Sequence, residues 1–261
     1  MALWLHWDLL MRFSGQDLRS RYRESLLGPA WALVVPLFQL AVFSFVFTSI
    51  LPSRWSGGEA GSFLFPLNLF CGISVYSVFS EVVTRSTTIL SENSSYIKRV
   101  VFPLEVMPIS IVLSALIGFF ISLAVLLLGY CLIRESLPAV QALSLPLILV
   151  PFFVLLAGLA WFFAGISVYL PDLRHAIFPI VSLLMFLSPV LFPLSSVPEP
   201  YRLVIAWNPV TVPIEALRNA LVLGAWPDPL LLVGYGAVAW AVAWLGYATF
   251  VVLRRGFADV V

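Results

Sequence analysis

The sequence predicts an all-α membrane protein, and three of its properties favour that fold class. Of its 261 residues, 61% are hydrophobic and only 10% are charged, whereas a soluble domain carries roughly 25% charged residues. The mean hydropathy is +1.04. Apolar runs close to the roughly 20 residues that cross a bilayer recur six times along the chain. We therefore expect a single transmembrane domain over residues 1–261.

The first element is a cationic amphipathic segment, residues 1–29, that leads directly into the first apolar run. Its apolar side chains recur at helical spacing, which predicts an interface helix lying along the membrane surface. Arg19, Arg21 and Arg23 would lie near anionic headgroups, where each basic residue contributes about 1 kcal/mol. This segment therefore indicates which end of the first membrane helix faces the cytoplasm.

The membrane core, residues 30–254, is expected to hold six spans. Their predicted bounds are Ala30–Leu51, Phe63–Val83, Met107–Ile133, Leu143–Leu170, Ala176–Leu194 and Leu230–Leu253. The fifth span is the shortest and contains Pro179 and Pro189, so a broken helix is expected there. The nearby hydroxyls of Ser182 and Ser188 are candidates to bond the carbonyls that these prolines leave free.

The basic residues predict the orientation of these spans. With the N-terminus inside, ten Lys and Arg residues fall on cytoplasmic segments and four on external ones. Both termini are therefore expected in the cytoplasm, in a multi-pass membrane protein. Residues 84–106 then form a polar cytoplasmic loop and residues 195–229 a proline-rich external loop. The external loop predicts a short helix from Pro213 to Gly224, at or dipping into the outer leaflet.

The sequence carries no motif of an enzyme or of a nucleic-acid-binding protein. It lacks G-x-S-x-G, H-E-x-x-H and the P-loop, so no catalytic residue, metal site or cofactor is expected in this chain. The formal net charge of +1 excludes a broad basic face for nucleic acid. Glu81 and Arg85, four residues apart in the second span, are interpreted as an interfacial ion pair rather than as a transport site.

Two stripes of side chains are candidates to line a substrate channel. Trp31, Phe38 and Phe45 recur every seven residues and therefore share one face of the first span. Aromatic rings suit the flat C–H faces of sugars, but packing against lipid or another helix explains the stripe equally well. In the fifth span, a second stripe shares one face and consists of Phe178, Ser182 and Met185.

Two longer motifs resemble those of a known family. Residues 21–37 read R-Y-R-E-S-L-L-G-P-A-W-A-L-V-V-P-L, and residues 93–108 read N-S-S-Y-I-K-R-V-V-F-P-L-E-V-M-P. They resemble the patterns R-Y-x-x-S-x-L-G-x-x-W-x-x-x-x-P-L and N-x-x-x-I-K-R-x-x-F-P-x-E-x-x-P of ABC type-2 exporter permeases. Shorter matches follow in order at Asp172, Ser188-Pro189-Val190, Asn208-Pro209, Glu215 and Arg218. The variant is the one found in exporters of O-antigen, related polysaccharides and teichoic acid.

The resemblance implies an assembly of four subunits. Two copies of this chain would form a homodimer in contact with membrane lipids, and two ATP-binding cassette ATPase subunits would bind ATP and Mg. A cytoplasmic coupling helix would dock on the ATPase through Asn93, Tyr96, Ile97, Lys98, Arg99 and Phe102. The interface helix would contact the inner leaflet and the ATPase through Arg19, Arg21, Tyr22 and Arg23.

The resemblance also assigns the path of the substrate. In that family the channel is built mainly from spans one and five of both subunits, which favours the two stripes described above. Short external helices would form an outer gate that includes Tyr201, Trp207, Glu215 and Arg218.

The implied function is that of a permease subunit of an ATP-driven exporter of lipid-linked polysaccharide. The same architecture could instead export teichoic acid, a smaller glycolipid or a hydrophobic drug. A third hypothesis is a membrane-embedded transferase acting on a polyprenyl-phosphate lipid. That enzyme would need an acidic cluster at the inner face, and Glu92, Glu105 and Asp172 are widely scattered in the sequence.

Overall fold

The computed structural model describes residues 7–21, 25–50, 61–97, 103–135 and 139–257. Within these ranges the chain is helical and contains no strand, which confirms the predicted all-α class. The α-helices are α1 (Trp7–Arg21), α2 (Trp31–Phe45), α3 (Gly61–Ser86), α4 (Ile89–Glu92), α5 (Ser94–Ile97), α6 (Val106–Arg134), α7 (Leu145–Tyr169), α8 (Leu173–Phe186), α9 (Glu199–Ala206), α10 (Thr211–Arg218) and α11 (Pro229–Leu253).

Five helical segments of the described chain are long and apolar enough to cross a membrane. They correspond to predicted spans one, two, three, four and six, and they cover Gly28–Phe45, Leu64–Ser86, Val106–Arg134, Val140–Tyr169 and Pro229–Gly256. Short 3₁₀ turns extend α2 and α7 at their N-terminal ends, and α2 continues into a π-helical turn at Val46–Ile50.

The fifth predicted span is shorter in the structure than its sequence bounds, Ala176–Leu194. Helix α8 has 14 residues, which corresponds to about 21 Å, less than the roughly 30 Å of the hydrocarbon core. It ends at Phe186 because Pro189 cannot continue the helical hydrogen bonds. Ser188 Oγ donates to the carbonyl of Met185 at 2.7 Å, the acceptor that a residue with an N–H at position 189 would have used.

Helix α3 occupies the centre of the bundle and packs against α2, α6, α7, α8 and α10. Phe70 and Val75 of α3 are buried together with Phe119 of α6 and Phe152 of α7. By contrast, α2 and α11 expose most of their apolar side chains. Those faces are therefore open to the surroundings of the bundle, whether lipid, another protein or a substrate.

Small residues allow α7 and α11 to lie against each other. A Cβ added at Gly158 would lie 2.6 Å from the backbone of Ala243, and a Cβ added at Gly246 would lie still closer to the carbonyl oxygen of Gly158. Lipid tails are as apolar as leucine, so helices in a bilayer associate through close van der Waals contact at such residues.

Contacts define two ends of the bundle. At one end, which we call the α1 end, α1 contacts α3 and α6, and Arg254 after α11 pairs with Glu105 before α6. At the other, the α10 end, α10 contacts the beginning of α3. Helix α10 ends in a π-helical turn and a left-handed Gly224 with φ +64°, which confirms the predicted C-terminal stop. It is buried against α3 and α7, and its position at or in the outer leaflet stays a prediction.

Candidate transport path and coupling surface

The aromatic stripe of the first span lies on the exposed face of α2. Phe38 and Phe45 are 68% and 60% exposed, and Trp31 is also exposed. The opposite face contacts the bundle through Leu40, whose side chain lies against Gly129 of α6 and is buried. The three aromatic side chains are therefore available to a substrate, to lipid or to another subunit.

The stripe of the fifth span lies on α8. Phe178 and Ser182 are exposed and Met185 is half-buried, whereas Ile177 and Val181 on the other face are buried. Ser182 Oγ donates to the carbonyl of Phe178 at 2.9 Å, so it does not bond the carbonyl that Pro179 leaves free. Both stripes are thus carried by helices that pack on α3.

A cavity of about 390 Å³ lies between α3 and α8 and contains two of the predicted channel residues, Ser182 and Met185. On the α3 side its lining includes Ser77, Ser80 and Glu81. Such hydroxyl and carboxylate groups offer hydrogen bonds to a polar ligand while the surrounding helices remain apolar. This cavity therefore adds polar groups to a candidate path that is otherwise aromatic and apolar.

The α3 side of this cavity was not predicted from the sequence. Ser77, Glu81 and Thr84 follow one another at three- and four-residue spacing, so they share a face of the helix. That polar stripe within an apolar span was a usable signal, since polar groups inside membranes are rare and usually functional. Tyr76, which also lines the cavity, donates its hydroxyl to the carbonyl of Val181 and so joins α3 to α8.

At the α1 end, an ionic network joins three helices. Arg85 Nη1 donates to Asp17 Oδ2 at 2.9 Å and to Glu81 Oε1 at 3.3 Å, which confirms the predicted pairing of Glu81 with Arg85. Arg85 Nη2 pairs with the other oxygen of Asp17. Ser114 of α6 donates to Asp17 Oδ2 at 2.6 Å. Helix α1 is thereby bonded to both α3 and α6.

The predicted coupling segment forms two short helices after α3. Leu90 of α4 is buried with Met107 and Trp161, and Asn93 Nδ2 donates to the carbonyl of Ile89 at 2.9 Å, closing the turn between α4 and α5. Tyr96 and Ile97 lie in α5. Lys98, Arg99 and Phe102 fall outside the described residues, as do Tyr22 and Arg23 of the interface segment, whereas Arg19 and Arg21 lie in the last turn of α1.

At the α10 end, Arg218 holds the chain that follows α8. The side chain of Arg218 is buried, and all three of its guanidinium nitrogens donate hydrogen bonds. Nη1 and Nη2 reach the carbonyls of Pro189 at 2.5 Å and Val190 at 2.6 Å. Nε reaches the carbonyl of Asn68 in α3 at 3.0 Å. Glu215 completes the arrangement 3.2 Å from Nη1.

Asn208 makes a second attachment to the end of α8. Its Nδ2 donates to the carbonyls of Leu184 and Leu187 at 3.3 and 3.1 Å.

The predicted gate residues do not form one group. Glu215 and Arg218 belong to the clamp on α10, whereas Tyr201 of α9 and Trp207 just after it are exposed. The four predicted gate residues are therefore split between a buried clamp on α10 and an exposed surface at α9.

The three acidic residues considered for a transferase are not brought together. Glu105 is buried and paired with Arg254, while Glu92 and Asp172 are exposed on separate segments. Over the ranges that the structure describes, no group of three His, Cys, Asp or Glu side chains could hold a metal ion.

The sequence matches a known family of membrane proteins. The sequence profile described as ABC-2 type transporter matches residues 10–222, from α1 through α10. The chain belongs to the ABC-2 type transporter family. Because the match includes α2, α3, α8 and the segment between α3 and α6, the family assignment covers the candidate path and the coupling surface together.

Curated relatives of this ABC-2 family member match along most of their length. The O-antigen export system permease protein RfbA of Myxococcus xanthus is 26% identical over 260 residues, covering 98% of this chain and 96% of the relative. A protein of the same name from Klebsiella pneumoniae is 23% identical over 97% of this chain and 95% of its own. The polysialic acid transport protein KpsM of Escherichia coli is 24% identical over 80% of this chain and 79% of its own. This ABC-2 chain is therefore a transport protein and not a catalytic subunit.

Proposed function

We propose that this chain is the membrane-spanning permease subunit of an ATP-driven exporter that moves lipid-linked polysaccharide across the cytoplasmic membrane. The observation that carries the proposal is the near full-length similarity to two proteins named O-antigen export permeases. A further relative is named for transport of polysialic acid, another polysaccharide. These names favour a polymer of sugars over teichoic acid, a smaller glycolipid or a hydrophobic drug as the cargo.

The geometry of the candidate path supports such a cargo. The exposed rings of Phe38 and Phe45 on α2 offer flat apolar surfaces, and the cavity beside Ser182 offers hydroxyl groups. A polymer that must slide needs many weak contacts instead of one tight site. The stripes on α2 and α8 lie on open faces of the single chain, so we propose that a second copy encloses them in a homodimer.

The energy for export would come from two ATP-binding cassette ATPase subunits that bind ATP and Mg. Their docking surface would be the segment from Asn93 to Phe102, with the interface residues Arg19, Arg21, Tyr22 and Arg23 beside it. Two features support this placement: the segment follows α3 directly, and Asp17 ties α1 to the same end of α3. This orientation puts the α1 end and both termini in the cytoplasm of a bacterial cell, and the α10 end outside.

Two measurements on one strain test the proposal. Deletion of this chain should abolish surface polysaccharide and leave lipid-linked polymer inside the cell, and the full-length chain should restore it. The affinity-tagged chain should co-purify with an ATPase subunit and with a second, differently tagged copy of itself. Normal surface polysaccharide in the deletion strain together with loss of another envelope glycolipid would assign a different cargo. Purification without an ATPase would refute the proposed mechanism.

A further inference from the structure

A second and larger cavity lies on another face of the molecule. It has a volume of about 630 Å³ and is an open groove between α7, α11 and the segment that joins α9 to α10. None of the predicted channel residues on α2 or α8 lines it. Clefts of roughly 300–1,000 Å³ hold small organic ligands in many proteins. The predicted gate residue Trp207 lines its mouth, so the groove borders the proposed export path.

The polarity of the groove changes along its length. Trp207, Asn208 and Asp228 line it at the α10 end, whereas Leu159 and Val242 line it towards the middle of the bundle. The lining of α11 runs from Leu230 to Val242, a rise of about 18 Å. Half of the roughly 30 Å hydrocarbon core is about 15 Å. The groove thus has the length of one leaflet, with a polar mouth and an apolar floor.

The mouth of the groove is negatively charged. Asp228 is the one charged side chain among the described lining residues. Its Oδ1 accepts from the backbone N–H of Leu230 at 2.9 Å and so caps α11, while Oδ2 has no hydrogen-bond partner within the described part of the chain. The exposed carboxylate of Asp228 attracts the ammonium group of a lipid headgroup and repels a headgroup that carries only negative charge.

We propose that this groove binds one acyl chain of an amine-headed glycerophospholipid from the leaflet at the α10 end. The acyl chain of the lipid lies along α11, between Leu159 of α7 and Val238 of α11, and the ammonium group of the headgroup faces Asp228. Groove and ligand match in length, in the direction of the polarity gradient and in charge. A polyprenyl phosphate offers the same hydrocarbon but an anionic headgroup, which the carboxylate disfavours.

The bound lipid would support the segment that holds the end of α8. Asn208 lines the groove and also donates to the carbonyls of Leu184 and Leu187. Tyr235, in the floor of the groove, donates to the carbonyl of Pro209 at 2.9 Å. A lipid in the groove would therefore contact the same segment that is bonded to the end of α8.

Glycines allow a variant that fills the groove and a matched control. Gly234 lines the groove, and a Cβ added there would meet nothing within 4 Å. Gly234→Leu therefore occupies the acyl site without displacing the backbone. Gly118 of α6 has equally open surroundings and lies outside the groove, so Gly118→Leu is the control.

The experiment uses the full-length protein in vesicles that contain one photoactivatable lipid. This lipid is phosphatidylethanolamine or phosphatidylglycerol with the reactive group on an acyl chain, or polyprenyl phosphate with the reactive group on its prenyl chain. Adducts are mapped by mass spectrometry. We expect adducts on α7 and α11 around Leu159 and Val238, with about a two- to fivefold preference for phosphatidylethanolamine, the range that an exposed ion pair gives. Gly234→Leu should lose these adducts, Gly118→Leu should keep them, and Asp228→Asn should equalise the two phospholipids.

Three results would overturn the proposal. Equal labelling of wild-type protein by phosphatidylethanolamine and phosphatidylglycerol would remove the role of Asp228. Preferential labelling by polyprenyl phosphate would reassign the groove to a cargo lipid. Unchanged adducts in Gly234→Leu would mean that the probe reports bulk lipid around α11. Each result is independent of whether the chain exports polysaccharide, because labelling needs neither ATP nor cargo.

Discussion

Asp17 of α1 is paired with Arg85 of α3, 68 residues further along the chain. Both carboxylate oxygens of Asp17 contact the guanidinium group, and Ser114 of α6 donates to one of them. Arg85 is also bonded to Glu81, which lines the cavity beside α8. The pair therefore connects α1 to the polar wall of the candidate path.

Asp17→Asn should weaken this connection because it removes the charge from a site where the Asp17 side chain is only 12% exposed. A hydrogen bond to a charged group contributes about 1.5–3 kcal/mol, so a loss of stability in that range is expected in detergent unfolding. Polymer export in cells should fall while the ATPase subunit still binds.

Glu199→Gln provides the control for Asp17→Asn. Glu199 pairs with Arg202 at 2.8 Å, but its side chain is 86% exposed, and exposed pairs contribute roughly 0–1 kcal/mol. If Asp17→Asn and Glu199→Gln have the same small effect, the network at the α1 end does not stabilise the bundle.

Arg218→Met should destabilise the turn that follows α8. Two buried carbonyls, those of Pro189 and Val190, and the part-buried carbonyl of Asn68 would lose their donor. Each buried acceptor left unsatisfied costs about 1–3 kcal/mol, so the free energy of unfolding should fall by about 3 kcal/mol or more. Export should be lost, as measured by surface polymer.

Gly72→Ala tests the same clamp without removing the arginine. A Cβ at Gly72 would lie 2.8 Å from Arg218 Nη2 and 3.1 Å from the backbone of Val190, so it should displace the guanidinium and reproduce part of the defect. Arg202→Met, at a partly exposed arginine, is the control. Wild-type stability in both Arg218→Met and Gly72→Ala would show that α8 needs no clamp at its end.

Local patterns in the sequence were sufficient to predict most of the fold. Runs of apolar residues gave the bounds of spans three and six to within one residue of α6 and α11. The spacing of Glu81 and Arg85 predicted their contact, since residues four apart on a helix are neighbours. Gly224 marked the end of the turn after α10 because it adopts a positive φ.

Contacts between distant segments could not be predicted in this way. Asp17 joins the pair of Glu81 with Arg85 only because α1 lies against α3 and α6, which no local spacing encodes. The early end of α8 likewise depends on Arg218 and Asn208, which satisfy the carbonyls of a non-helical turn inside the bundle. The predicted fifth span was longer than α8 because the turn after α8 is as apolar in composition as a membrane helix.

Simultaneous replacement of Lys98 and Arg99 by alanine should uncouple ATP hydrolysis from export. If each charge contributes about 1 kcal/mol at the ATPase surface, docking weakens about 30-fold. Membrane insertion should be unchanged, and co-purification of the ATPase should fall. Arg134→Ala, at the other end of α6, is the control. Unchanged export in the double variant would remove these residues from the coupling surface.

Replacing Phe38 and Phe45 by alanine tests the aromatic stripe of α2. Both rings are largely exposed, so their loss leaves no cavity in the bundle and stability should change little. If the rings contact the moving polymer, export should slow by about fivefold for each ring, the effect of losing about 1 kcal/mol of contact. The rate at which labelled polymer reaches the cell surface measures this directly.

Phe120→Ala is the control that distinguishes the loss of a substrate contact from the loss of an aromatic ring at a lipid-facing surface. Phe120 of α6 is 48% exposed and loses the same atoms, so a general effect of removing aromatic rings from the membrane surface would appear in both variants. A path on α2 slows export only in the Phe38 and Phe45 variants. Equal rates in all variants would mean that the stripe faces lipid or another helix, and the cavity beside Ser182 would then be the remaining candidate for the path.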